Sequence, residues 1–127
     1  DQLESLLDDW RQLGITTAQG DFGADFVLHD EDFHLRLAAA PGNQSLTDLL
    51  AHVNQRIRFV RMHDFLTADR VQRTIKEHIS ITEALLTGDR ALTETRLVRH
   101  LGISRRVVER RAAMALSRMV STGRGDR

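Results

Sequence analysis

The sequence predicts an all-α fold, an antiparallel helical bundle, on three observations. Apolar residues recur at spacings of three and four along almost the whole chain, and nowhere alternate with polar ones for more than a few positions. Among 127 residues there is one Pro and no Tyr, so a strand-rich reading has little support. The strongest breakers, Gly20, Pro41-Gly42-Asn43 and Gly88, fall between the periodic stretches and so separate helices rather than interrupt them.

The first helix is predicted over about 2–18, with Leu3, Leu6, Leu7, Trp10 and Leu13 as its apolar stripe and a stop near Gly20. Asp21 is the expected cap of the second, which runs to about Ala40 with Phe26, Phe33, Leu37 and Ala40 facing inward. At 100° per residue Asp30 and His34 fall inside that stripe. The third helix, about 45–65, is expected to bury Leu46, Leu49, Leu50, Val53, Ile57 and Val60. Thr67 or Asp69 caps the fourth, about 70–87, whose stripe is Val71, Ile75, His78, Ile79, Thr82, Leu85 and Leu86. The fifth starts from Asp89, presents Leu97, His100, Leu101, Ser104 and Val108 on one face and runs to about Met119. The expected organisation is one domain over 1–120 and a polar tail over 121–127.

Bulk composition narrows the functional classes. With 41% hydrophobic and 28% charged residues the chain has an ordinary globular composition. It has no cysteine, which excludes a disulfide scaffold and thiolate metal sites, so any metal must be held by His and carboxylates. The absence of a long apolar run and of a signal pattern predicts a cytoplasmic protein without a membrane partner. Residues 1–34 carry nine acids against Arg11, and 103–127 carry seven Arg against two acids, yet the net charge is zero. Two oppositely charged solvated faces account for this better than a nucleic-acid surface, which needs net positive charge.

Four polar residues stand on apolar stripes: Asp30 and His34, one helical turn apart, and then His78 and His100 on two later helices. A buried carboxylate needs a partner, and two readings satisfy that need. One is a metal centre. The other is a buried polar network in which Asp30 accepts hydrogen bonds from imidazoles. For a metal, one carboxylate and three imidazoles suit a divalent ion, zinc first and nickel or manganese next, rather than calcium or magnesium. His29, His52 and His63 lack such placement and are expected at the surface.

The segments DEDFHLRLAAAPGN, KEHISITEALLTGD and RLVRHLG, taken in this order over about residues 3–110, resemble the C-terminal effector-binding domain (FCD domain) of GntR-type, FadR-subfamily bacterial transcription regulators. In that family an Asp-x-x-x-His, the His of a Glu-His pair and the His of a His-Leu pair bind a divalent metal. The resemblance carries these roles onto Asp30, His34, His78 and His100, with 43 residues between the second and third and 21 between the third and fourth. It implies a pocket above the metal for a small organic acid, with Arg56 and Arg61 as effector-binding candidates, and a homodimer. Family members also carry an N-terminal winged helix-turn-helix and usually one more helix before the equivalent of residue 3. Neither is in this sequence, so operator DNA would be reached only through that other part. Two alternatives stand beside this reading: a regulator domain whose metal is purely structural, and a metallohydrolase. The hydrolase needs a general base, and Glu77, next to His78, is predicted to point about 100° away from the site.

Overall fold

The computed structural model describes residues 1–20, 22, 23 and 25–122. Five helices make up the chain: α1 Gln2–Ala18, α2 Phe26–Ala39, α3 Gln44–Met62, α4 Ala68–Leu86 and α5 Arg90–Thr122. No strand occurs among the described residues, and none of their helices is long and apolar enough to cross a membrane.

Local chemistry sets most of the boundaries. Asp1 opens α1 by accepting from the Leu3 amide at 3.1 Å. After α1, Gly20 takes a φ of +86°, a conformation open to Gly at no steric cost. Asn43 opens α3 through Leu46, and Asp89 opens α5 through Leu92, each by a 3.0 Å bond from the backbone amide to the side chain. Of the two caps considered for α4, Thr67 is the one used, its hydroxyl accepting from the Arg70 amide.

Three boundaries differ from the prediction. Helix α2 begins at Phe26, and the expected cap Asp21 lies outside the described residues. A backbone turn, with the Phe26 amide on the Gly23 carbonyl at 3.0 Å, occupies the approach to it. Helix α3 stops at Met62, short of 65, because Asp64 and Phe65 leave the helix and turn into the interior, where they are 0% and 3% exposed. Helix α5 continues past Met119 to Thr122, and residues 123–127 of the expected tail lie outside the described part.

The helices close into a ring. Helix α1 runs along α4, α4 along α5 and α2 along α3, with lighter contact of α1 to α2 and of α3 to α5. At the centre lie Leu6, Trp10, Phe26, Val27, Phe33, Phe65, Val71, Ile75 and Ile81. Trp10 stands edge-on to Phe33 with centroids 5.3 Å apart and edge-on to Phe26 at 6.1 Å. Burial of each such side chain contributes roughly 1.5–3 kcal/mol, so this cluster supplies most of the drive to close the ring. Gly14 lets α1 approach α4: a Cβ there would meet the Ile75 Cγ2 methyl at 3.3 Å.

The prediction for α3 needs correcting. Its stripe is apolar as read, but it is not buried. Leu46, Leu49, Val53, Ile57 and Val60 are between 40% and 61% exposed, and no residue of α3 is buried. The helix meets α2 through Arg58 and Arg61, which pair with Glu31 and Asp30, and its apolar stripe stays largely open, with its Val60 end beside α5. Leu101 on α5, also expected inside, is 50% exposed, whereas its neighbours His100 and Ser104 are buried.

Candidate metal centre

Asp30 and His34 project from one face of α2, His78 from the middle of α4 and His100 from α5, so three helices of the ring contribute to one point. Asp30, His78 and His100 are 4%, 0% and 2% exposed, and His34 is half-buried. Each offers one donor atom, and the four atoms lie within 4.8 Å of one another. His78 Nε2 is 3.2 Å from His100 Nε2 and 3.3 Å from Asp30 Oδ1, and His34 Nε2 is 3.7 Å from the same oxygen.

Packing fixes the rings. The His78 imidazole lies flat on Phe33, centroids 3.7 Å apart and planes 9° from parallel, with Trp10 edge-on to it at 4.3 Å. His34 is stacked with His100 at 5.4 Å and 20°. The residues that build the core thus also orient the polar cluster.

Burial dominates the electrostatics of the imidazoles. It pushes His34 down to about 4 and His78 down to about 3, each from 6.5, in spite of the nearby Asp30 carboxylate. For Asp30, burial acts to raise the pKa. The His78 imidazole, together with the charges of His34 and Arg61, outweighs it and holds the carboxyl well below the usual carboxylate range. At neutral pH the cluster is therefore one carboxylate anion and neutral imidazoles at His34 and His78. That is the protonation state in which these groups bind a cation.

The donor set also fits a cation in its spacing. Metal–nitrogen bonds of about 2.1 Å place adjacent donors roughly 3.0–3.4 Å apart, close to the 3.2 and 3.3 Å seen around His78. Asp30 Oδ1, buried at the middle of the group, has no hydrogen-bond partner among the described residues. His78 Nε2 and His34 Nε2 stand 3.3 and 3.7 Å from it, and with both imidazoles neutral the nearest fixed positive charge is Arg61 on the other oxygen, so a cation at the donor atoms would meet Oδ1 directly.

Two supporting contacts were not legible in the sequence. Arg61 Nη2 donates to Asp30 Oδ2 at 2.8 Å, and its Nη1 lies 3.4 Å from Asp64 Oδ2. Arg61, read as a candidate for holding an effector, is therefore engaged with the cluster's own carboxylate. Arg56, the other candidate, is exposed on α3 and makes no hydrogen bond or ion pair among the described residues. Glu77 does leave the stripe as predicted, but its Oε2 reaches the outer nitrogen of His100, Nδ1, at 2.8 Å. Behind Arg61, the buried Asp64 takes Arg70 Nε at 3.2 Å, and Arg70 Nη2 donates to Ser104 Oγ at 3.1 Å. The early end of α3 creates this network, and nothing in the periodicity signals it. His29, His52 and His63 are exposed, as expected.

Fold and site together define an all-α domain in which a carboxylate and three imidazoles converge at a buried point. The profile of the FCD domain matches residues 1–102, and the chain belongs to that family. It is similar to the HTH-type transcriptional regulator LutR of Bacillus subtilis (strain 168), with 34% identity over 106 residues, covering 78% of this chain and 46% of that protein. The chain thus spans about half the length of this curated relative. No solved structure gives a significant match.

Proposed function

We propose that this domain is the effector-binding part of a transcription regulator, and that it senses a small organic acid through a divalent ion held by Asp30, His34, His78 and His100. Membership of the FCD family and the likeness to a transcriptional regulator support the regulatory role. The observation that carries the metal reading is the set of four donor atoms within 4.8 Å, with Asp30 Oδ1 unpartnered among them. When bound, the ion supplies positive charge and an exchangeable position for a carboxylate oxygen. Zinc suits three nitrogens and one oxygen, with nickel and manganese as the alternatives.

The residues have distinct tasks. Asp30 supplies the negative charge, and Arg61 holds its second oxygen so that the first stays aimed at the imidazoles. Glu77 accepts a hydrogen bond from Nδ1–H of His100, the tautomer in which the Nε2 lone pair faces His78 and the centre. Phe33 and Trp10 form a dry wall against His78, and the low polarity there strengthens every charge interaction at the centre.

A sensor is favoured over a hydrolase by where the neighbouring acids are committed. Glu31 is held by Arg58, Asp64 by Arg61 and Arg70, and Glu77 by His100. None of these is offered as a general base beside the donor atoms. Exposed apolar residues on α3 and α5, such as Leu49 at 61% and Leu116 at 63%, support association with a second copy as a homodimer. In the cytoplasm of a cell, the response to the acid would reach operator DNA through a helix-turn-helix part outside this sequence. It requires the acid to favour one arrangement of the whole regulator over another.

A thermal-shift screen of small mono- and dicarboxylic acids, with and without metal, tests the reading. Stabilisation by an acid only in the metal-loaded protein supports it. Stabilisation by none of them, loaded or free, leaves a structural ion, and turnover of an ester by the loaded protein points to a hydrolase.

A further inference from the structure

Helices α4 and α5 line a cleft of about 540 Å³ whose walls include His100 and its partner Glu77 but none of Asp30, His34 and His78. Its charge follows from sequence spacing. Helix α4 contributes Arg73, Lys76 and Glu77, and α5 contributes Arg96, Arg99 and His100, both at the same intervals of three and one. Each helix therefore turns two cations and one further titratable group toward the same groove. Four cations face one carboxylate there, and that carboxylate is already engaged by His100 Nδ1.

Arg11, Arg36, Arg58, Arg61 and Arg70 all have carboxylate partners, whereas Arg73, Lys76, Arg96 and Arg99 have none among the described residues. Arg56, Arg90, Arg106, Arg110, Arg111 and Arg118 also lack a carboxylate partner among the described residues, so what sets these four apart is that they line one cleft. Arg96 is fixed in place by donating from Nη1 to the Ser80 carbonyl at 2.8 Å, its only hydrogen bond among the described residues, so its other N–H groups are uncommitted. Collecting like charges in one groove is unfavourable without a counter-charge, and the field inside a cleft concentrates anions. The volume lies within the range of small-molecule sites, roughly 300–1,000 Å³.

We infer that this cleft is a second anion site, distinct from the proposed metal centre, for a small oxyanion carrying two or more negative charges, of the phosphate or polycarboxylate type. Guanidinium groups on opposing helices suit such a ligand because each can give two parallel hydrogen bonds to a pair of oxygens. The site needs no metal. It touches the centre only through Glu77 and His100, whose outer nitrogen faces the cleft side and whose Nε2 faces His78.

The test is isothermal titration of inorganic phosphate and of citrate into protein stripped of metal on a chelating resin, which avoids adding a polyanionic chelator. Three variants are compared: Arg73→Gln with Arg99→Gln, a charge-matched control Arg106→Gln with Arg110→Gln, and His78→Ala. Arg73 and Arg99 are exposed, so their loss leaves the fold intact, and a thermal melt checks this. The native protein binds at least one of the two probes, the tighter one giving the ligand class. The cleft variant binds at least about tenfold more weakly, while the control and His78→Ala stay within about twofold of native. No binding by metal-free native protein overturns the site, as does equal weakening in the cleft and control variants. Loss of binding in His78→Ala, or in His34→Gln at the half-buried ring should the melt show His78→Ala unfolded, also overturns it, by placing the anion at the centre. The metal reading fails separately, through metal content alone.

Discussion

Glu77 Oε2 lies 2.8 Å from Nδ1 of His100, on the far side of the ring from the nitrogen that faces His78. A carboxylate in that position accepts a hydrogen bond from Nδ1–H and so holds the tautomer whose Nε2 lone pair points inward. Glu77→Gln removes the charge while keeping the shape. The expected result is divalent-metal affinity lower by about 10–100-fold, with little change in the melting temperature of metal-free protein. Unchanged affinity in a competition titration would remove Glu77 from the site.

Arg61 bridges Asp30 and Asp64, at 2.8 and 3.4 Å. Arg61→Met leaves Asp30 Oδ2 buried without its partner, at a cost of about 1–3 kcal/mol or more to the metal-free protein. A bound cation offsets part of that unpaired charge. The loss measured by urea unfolding is therefore larger without metal than with it, and equal losses would contradict a charge role for Arg61.

Phe33 serves both core and site, being 0% exposed and stacked on His78. Phe33→Ala is expected to cost about 3–5 kcal/mol of stability through the cavity it leaves. Phe33→Leu keeps most of the volume and loses the flat ring, so its stability loss is smaller while metal affinity falls. Native affinity in a folded Phe33→Leu protein would show that the stacking does not hold His78 in place.

The cluster also predicts a pH dependence for metal-free protein. His34 and His78 titrate at about 4 and about 3 when folded, against 6.5 when unfolded, so between these values the unfolded chain binds more protons. Their contribution is present in full above 6.5 and is lost as pH falls through 6.5 toward those folded values. Asp30, lowered from 3.8, adds to the loss only at more acidic pH, as it falls below that value. Melting temperature should drop steadily from about pH 7 to pH 4.5, and His34→Gln should flatten the curve. A flat native curve over that interval would contradict burial as the dominant influence on the two imidazoles.

Much of this was readable from the residues, for physical reasons that also mark where reading stops. Helices α1 and α4 were legible because each has a single clean stripe and a cap or stop that local chemistry dictates, as with Thr67. Asp30, His34, His78 and His100 stood out because polar groups on an apolar stripe are expensive and so are noticed. The stripe of α3 was equally clear, yet periodicity reports that a face is apolar and not what covers it, and here Leu49 and Ile57 remain exposed. Glu77 was placed on the correct side of its helix, but the length of its side chain carries it to His100 on α5, a contact that spacing within α4 does not contain. The Asp64, Arg70 and Ser104 network depends on α3 ending at Met62 so that Asp64 can turn inward, which is a tertiary event.

The function proposed for this domain turns on a divalent ion held by Asp30, His34, His78 and His100. Elemental analysis of the purified protein, beside His78→Ala and His100→Ala, tests it most directly. The expected result is close to one divalent ion per chain in the native protein, loss of it in both variants, and a lower melting temperature when the native protein is stripped. An ion present at about a hundred times its dissociation constant contributes roughly 2.7 kcal/mol. Metal retained in both variants, or a native protein that takes up no ion and melts the same with and without added zinc, nickel and manganese, would contradict it and leave the four residues as a buried hydrogen-bonded network.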